Sequence, residues 1–291
     1  MTKTVPGKRA FLAPRVQAWG LVLPAFLWTV AFFIMPLVIM AVYSFWQRVG
    51  TKLITDFTLL NYHNFFAKSF LLQSLVNSIE VSVIVTVISI LLAYPLAYIL
   101  AEKVPQRWQR LALILAVLPF WTSYVVRSYS WLLVLSKGGI ISNFLMDTGI
   151  TSEALSFANS RGATITGFVH FFVMLLTLTI YANLVQLPKS YRKAAADLGA
   201  GPIRSFIYVV LPLTLPGIMV GAFLTFVLCI GDYITPQILG GNRELLLPQT
   251  IMLQIARRSD FPMASALAIM LMGVVTMVYF ACARWLKIER M

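Results

Sequence analysis

The sequence predicts an all-helical integral membrane protein, and three observations carry that prediction. Of the 291 residues, 59% are hydrophobic and only 11% are charged, a composition that soluble domains do not show. The charged residues are gathered into short clusters separated by long charge-free runs. Those runs are long enough for helices of about 20 residues to cross a bilayer.

The spans follow in order along the chain. The first charge-free run extends from Val16 to Gln47 and predicts a helix over 19–45, with Pro24 and Pro36 as expected kinks. Residues 1–18 read as a cytoplasmic tail rather than a signal peptide, whose apolar core is shorter and ends at a small-residue cleavage site. Further runs predict spans near 76–101, 111–135, 164–187, 212–232 and 262–284, within a membrane domain covering 19–287. The third run is short and reaches Leu135 only if Arg127 sits inside the helix or at its outer edge, so a five-span reading stays open.

The net charge of +13 sets orientation. A nucleic-acid binder collects its basic residues on one soluble face, whereas these lie between apolar runs, so no nucleic acid is expected. With the N-terminus inside, the inner segments hold Lys3, Lys8, Arg9, Arg15, Lys103, Arg107, Arg110, Lys189, Arg192, Lys193, Arg204, Arg284, Lys287 and Arg290, which is fourteen of the 23 lysines and arginines. The outer loops keep Arg48, Lys52, Lys68, Lys137, Arg161, Arg243, Arg257 and Arg258, with Arg127 at a span edge. Positive residues are retained inside, so both termini are expected in the cytoplasm.

The outer loops near 48–75, 136–163 and 233–260 are long enough to carry structure of their own. Asn61, Tyr62, Phe65 and Phe66, and Ile140, Phe144, Leu145 and Ile150, are expected in short amphipathic segments on the membrane surface. Cys229 and Cys282 fall in apolar runs near opposite membrane faces, which implies neither a disulfide nor a metal site.

Catalytic machinery is absent from the sequence: it contains no phosphate-binding loop, no paired-histidine zinc motif and no paired-cysteine motif. His63 and His170 stand alone, and a lone histidine in an apolar setting reads as a packed, hydrogen-bonded residue. The chain is therefore expected to be no enzyme, to bind no cofactor and to hydrolyse no ATP by itself.

Residues 189–212 read as an alanine-rich helix, a break from Gly199 to Pro202, a second short helix, and a proline in the first turn of the next span. Ile203, Phe206 and Ile207 offer an apolar docking face. This segment resembles the signature of permease subunits of ATP-binding-cassette importers: a Glu-Ala-Ala triplet, three residues, glycine, nine residues, an aliphatic residue, one residue, then Leu-Pro. Ala194, Ala195, Gly199, Val209, Leu211 and Pro212 fall at the matching positions, and Lys193 stands where the family has glutamate. Pro119 to Ser123 with Arg127, Tyr129 and Trp131, and Gly231 to Pro236 with Leu239-Gly240-Gly241, resemble segments of the spermidine/putrescine permease subfamily.

The resemblance implies the type I importer permease fold in a bacterial inner membrane, with a second permease beside this one. It implies two cytoplasmic ATPases that use ATP and Mg and grip the 189–212 loop, and an external binding protein that delivers a polyamine such as spermidine or putrescine. An opine or another small organic solute is the alternative cargo, and an ion-coupled secondary transporter is the alternative class. Glu80, Arg127 and Asp232 lie at span edges, where an unpaired charge is costly. One reading pairs Arg127 with Asp232 or Glu80 and fixes helix rotation. The other gives Asp232 the task of attracting a cationic cargo past Trp121, Tyr124, Tyr129 and Trp131, aromatics that serve equally as an interfacial belt.

Overall fold

The computed structural model describes residues 14–241 and 244–286. The expectations for 1–13, Arg243, Lys287 and Arg290 lie outside the described residues. Fourteen α-helices are described: α1 Pro14–Thr29, α2 Met35–Ser44, α3 Leu60–Ala67, α4 Ser69–Glu102, α5 Gln106–Val117, α6 Tyr124–Leu135, α7 Ile140–Asp147, α8 Arg161–Gln186, α9 Ser190–Asp197, α10 Pro202–Ser205, α11 Leu211–Gly231, α12 Ile234–Leu239, α13 Leu247–Ala256 and α14 Phe261–Leu286. One antiparallel hairpin, β1 Gln47–Val49 with β2 Lys52–Ile54, turns at Gly50.

Five uninterrupted helical segments are long and apolar enough to cross a membrane: Val22–Ser44, Ser69–Glu102, Arg161–Gln186, Pro202–Gly231 and Phe261–Ala283. A sixth candidate is broken. The single helix expected over 111–135 is instead α5 with a 3-10 turn, Leu118–Trp121, followed by α6, and the two halves meet at a bend of 86° when α7 is taken with α6. The cause is local, because Pro119 has no N–H to give and Thr122 and Ser123 are extended.

The interior inverts the rule for soluble helices. The buried face of α4 carries Ser74, Ser78, Ser82, Ser89, Ala93 and Ala97, while Val83, Val87, Leu91, Leu92 and Leu96 point outward. In hydrocarbon a large apolar residue gains nothing by facing another helix, whereas small residues let backbones approach. The hydroxyls add no unpaired cost where they bond within their own helix, as Ser78 does to the Ser74 carbonyl at 2.9 Å and Thr86 to that of Ser82 at 2.7 Å. Against this face lie α8 and α11, joined by the Tyr94–Thr214 hydroxyl bond of 3.0 Å and by a core of Ala93, Ala97, Leu176, Ile180, Leu184 and Ile218.

Two prolines are absorbed by widened turns. Five-residue π-turns, Val30–Ile34 and Phe206–Val210, each end two residues before a proline, Pro36 and Pro212. A proline ring clashes with the carbonyl four residues earlier, and a wider turn moves that carbonyl aside. The kink expected at Pro36 takes this form.

The loops depart further from expectation. Rather than lying on a membrane surface, α3 is packed into the protein. Phe65 is fully buried beside Leu71, Leu247 and Met263, and the Asn61 amide donates to the carbonyls of Ser44 and Trp46 at the end of α2. Helix α7 does present Ile140 and Phe144 outward. The 233–260 segment folds inward: Leu247, Gln249, Thr250 and Gln254 of α13 are buried, and the Leu247 N–H donates to Ser78 Oγ at 2.7 Å.

Helices α8 and α11 meet where Gly217 faces Asn183, whose side chain occupies the space a Cβ would need. Gly217→Leu is expected to lower the melting midpoint of the purified protein by an overpacking cost of about 1–3 kcal/mol. Asn183→Ala in the same chain should return part of that loss, and an unchanged melt in the single variant would contradict the packing.

Candidate functional site

Two constellations stand out, one at an end of the helical bundle and one halfway along it. At the end, α9 stops in a glycine cap: Ala200 N–H donates to the Ala195 carbonyl and Gly199 N–H to that of Ala196, both at 2.9 Å, with Gly199 at φ +82. Only glycine adopts that conformation without steric cost. Three residues later the chain re-enters a helix at Pro202 that continues through the π-turn into α11, so the second short helix expected here is the first turn of a 30-residue helix.

The result is a knob whose tip is exposed and whose base is anchored. Lys193, Ala194, Leu198, Ile203 and Tyr208 face outward, with Leu198 89% exposed, while Ala195 is buried. Val209 and Leu211 are half-buried and Pro212 is exposed in the first turn of α11. Phe206, expected on the docking face, turns inward instead and meets the rings of Tyr94 and Tyr98 edge-on at 5.5 and 5.4 Å. The outward apolar face therefore consists of Leu198, Ile203, Ile207 and Tyr208.

Arg192 of α9 forms an ion pair with Glu102 at the end of α4, both largely buried. Donating to the Glu102 carboxylate holds the Arg192 guanidinium pKa above its ordinary value. Sequence reasoning counted Arg192 only toward orientation and passed over Glu102. The signal was available, since Glu102 is a lone acid closing a charge-free run.

The expected pairings of Arg127 do not form. Glu80 pairs with Arg161 at 2.6 Å, with Glu244 3.8 Å from the same guanidinium. Asp232 caps α12 by accepting from the Ile234 N–H at 2.8 Å and also accepts from the Tyr124 hydroxyl. Arg127 makes no ion pair among the described residues. Its Nη2 donates to the Thr122 carbonyl at 3.0 Å and to that of Phe120 at 3.4 Å, closing the helix break on itself. Its guanidinium carbon lies 5.2 Å from the Phe171 ring centre, within cation–π range. Nε and Nη1 are buried without a partner.

The four candidate aromatics separate. Tyr124 and Trp131 turn inward, while Trp121 and Tyr129 are exposed. Trp131 Nε1 donates to His170 Nδ1 at 2.7 Å, so His170 is a packed, hydrogen-bonded residue. Between α6 and α8 lies a cavity of about 350 Å³ bounded by Val126, Arg127, Ser130, Trp131, Val134 and His170.

This helical fold is shared with chains of solved ABC transporters. A bacterial alginate ABC transporter, in complex with alginate pentasaccharide-bound periplasmic protein, aligns over 94% of this chain and 96% of that one at TM-score 0.77 and 15% identity. The MetNI methionine ABC transporter in its inward-facing form aligns over 75% and 95% at TM-score 0.57 and 15% identity. The chain thus has the fold of these ABC transporter chains.

It belongs to the family described as binding-protein-dependent transport system inner membrane component, which matches residues 83–287. It is similar to the spermidine/putrescine transport system permease protein PotB of Escherichia coli K12, with 31% identity over 188 residues, 64% of this chain and 68% of that one. The PotB of Haemophilus influenzae is 32% identical over 266 residues, 90% and 92% of the two chains.

A side chain at position 199 would meet nothing within 4 Å, so substitution there acts through the backbone alone. Gly199→Val is expected to strain the cap by about 1–2 kcal/mol and reduce copurification of a bound ATPase, with Gly199→Asn milder because asparagine tolerates the left-handed region. Equal copurification from wild type and Gly199→Val would remove the cap from the docking geometry.

Proposed function

We propose that this chain is one of two permeases in an inner-membrane importer driven by two cytoplasmic ATPases and supplied by an external binding protein. The observation that carries the reading is the exposed knob at 189–212, rigidly continuous with α11 and tied to α4 through Arg192 and Glu102. In this reading the chain crosses the membrane six times, counting the broken α5–α6 pair, and both termini and the knob face the cytoplasm. The knob is where force enters. Closure of the ATPases around ATP and Mg moves α9, and the ion pair and the unbroken helix carry that displacement into α4 and α11. A ligand shifts such an equilibrium only through differential interaction with the two states, and nucleotide has that through the ATPases.

The cargo is a small organic amine, with spermidine and putrescine first because the PotB relatives are named for them. A second reading, an amine that also carries a carboxylate, as an opine does, is favoured by the buried Nε and Nη1 of Arg127, which have no partner among the described residues.

Coexpression with a candidate second permease, ATPase and binding protein, followed by reconstitution into vesicles, tests the machine. Uptake of the binding protein's own ligand should require ATP inside the vesicle and stop when Leu198 and Ile203 are both changed to Asp, with membrane insertion unchanged. Uptake that persists without ATP and follows an ion gradient would identify a secondary transporter instead.

A further inference from the structure

Arg127 is 7% exposed, and two of its three nitrogens have no hydrogen-bond partner. Its depth makes that costly. Arg161 marks one end of α8, and Phe171, which lies against the guanidinium, is ten residues further on, about 15 Å at a rise of 1.5 Å per residue. Arg127 therefore sits near the middle of a bilayer whose hydrocarbon is about 30 Å thick. A guanidinium there calls for acceptors, and the Thr122 and Phe120 carbonyls engage Nη2 alone.

The neighbouring backbone makes the same demand. Arg127 is the fourth residue of the twelve-residue α6, whose first intrahelical bond runs from Arg127 N–H to the Ser123 carbonyl at 3.0 Å. The N–H groups of Tyr124, Val125 and Val126 precede it, so the positive end of the helix dipole and the guanidinium add rather than cancel. One anion would offset both. Asp232, the carboxylate that contacts Tyr124 in the same helix, is engaged there and by the Ile234 N–H. Lipid headgroups lie at the wrong depth.

We propose that the cavity beside Arg127 binds the carboxylate of the transported solute, so that the cargo is a small amine bearing a carboxylate. The cavity has the volume of a small-molecule site, about 350 Å³. Val126, Val134 and Trp131 give it apolar walls for a methylene chain, and Arg127 and His170 give it donors. Because Trp131 donates to Nδ1, neutral His170 carries its proton on Nε2 and presents a donor there. A fully cationic polyamine offers this site no acceptor and is repelled by it.

The inference rests on the importer reading and narrows its cargo, and the two fail separately. The test uses the whole complex in lipid nanodiscs and two probes with the same four-carbon spacer, putrescine and 5-aminopentanoate, in which a carboxylate replaces one ammonium. Radiolabelled 5-aminopentanoate should bind wild type saturably and resist displacement by putrescine. Arg127→Gln should weaken that binding by about tenfold or more, and Arg127→Lys by much less, with ATPase and second permease still copurifying in both. Displacement by putrescine at equal concentration, no binding of 5-aminopentanoate to wild type, or equal binding in wild type and Arg127→Gln would overturn the proposal. Loss of assembly in both variants would overturn it too, by making Arg127 a fold residue. Loss of ATPase from the wild-type complex would instead sink the importer reading.

Discussion

The packing of α4 on α8 is the constraint from which the rest of this structure is built. On the α4 side it is made largely of small and hydroxyl side chains, which α8 meets with Phe168, Phe172, Leu176, Ile180 and Leu184, and two ion pairs bracket the stretch of α4 from Glu80 to Glu102. Glu80 meets Arg161 eleven residues into the helix and Glu102 meets Arg192 at its end. The two acids are 22 residues apart, about 33 Å along a helix, which matches the hydrocarbon thickness of a bilayer. Slippage of α4 would draw one acid into hydrocarbon and the other away from it, and rotation would part both pairs, so the pairs set register as well as depth.

What this pair supports lies on either side of it. The long helix from Pro202 to Gly231 packs on α4 and α8 through Gly217, Gly221 and Thr214, and so inherits their register. On the other flank, α6 leans on α8 through Trp131 and His170, and its break is held by Arg127 across the Phe171 ring. The knob at 189–212 and the cavity beside Arg127 are thus joined by one helix, α8, whose end leads directly into α9. That continuity gives a displacement of the knob a physical path to the middle of the membrane.

The helical membrane class was legible because charge is so costly in hydrocarbon that its absence marks a span. The glycine-capped knob was legible for the same kind of reason, since alanines, Gly199 and Pro202 admit few local conformations. Where a residue's role depends on its neighbours in space, sequence was a poor guide. Phe206 looks outward on a helical wheel but is claimed by Tyr94 and Tyr98, more than a hundred residues away. Arg127 and Asp232 look like partners until Tyr124 and the start of α12 take the carboxylate. The buried α13 was read as a loop because its Leu245-Leu246-Leu247 run is too short to cross a membrane, and only its contact with Ser78 shows where it goes.

The central claim is that force applied at α9 reaches α4 through the buried Arg192–Glu102 pair, and a charge-exchange experiment tests it most directly. In the reconstituted complex, solute moved per ATP hydrolysed is measured for Glu102→Gln, Arg192→Gln and the double exchange Glu102→Arg with Arg192→Glu, alongside ATPase copurification. Each single change should leave the ATPases bound but lower the transport yield, and the exchange should recover much of it. Transport yield unchanged in both single variants, or equally lost in the exchange while the ATPases stay bound, would contradict the account.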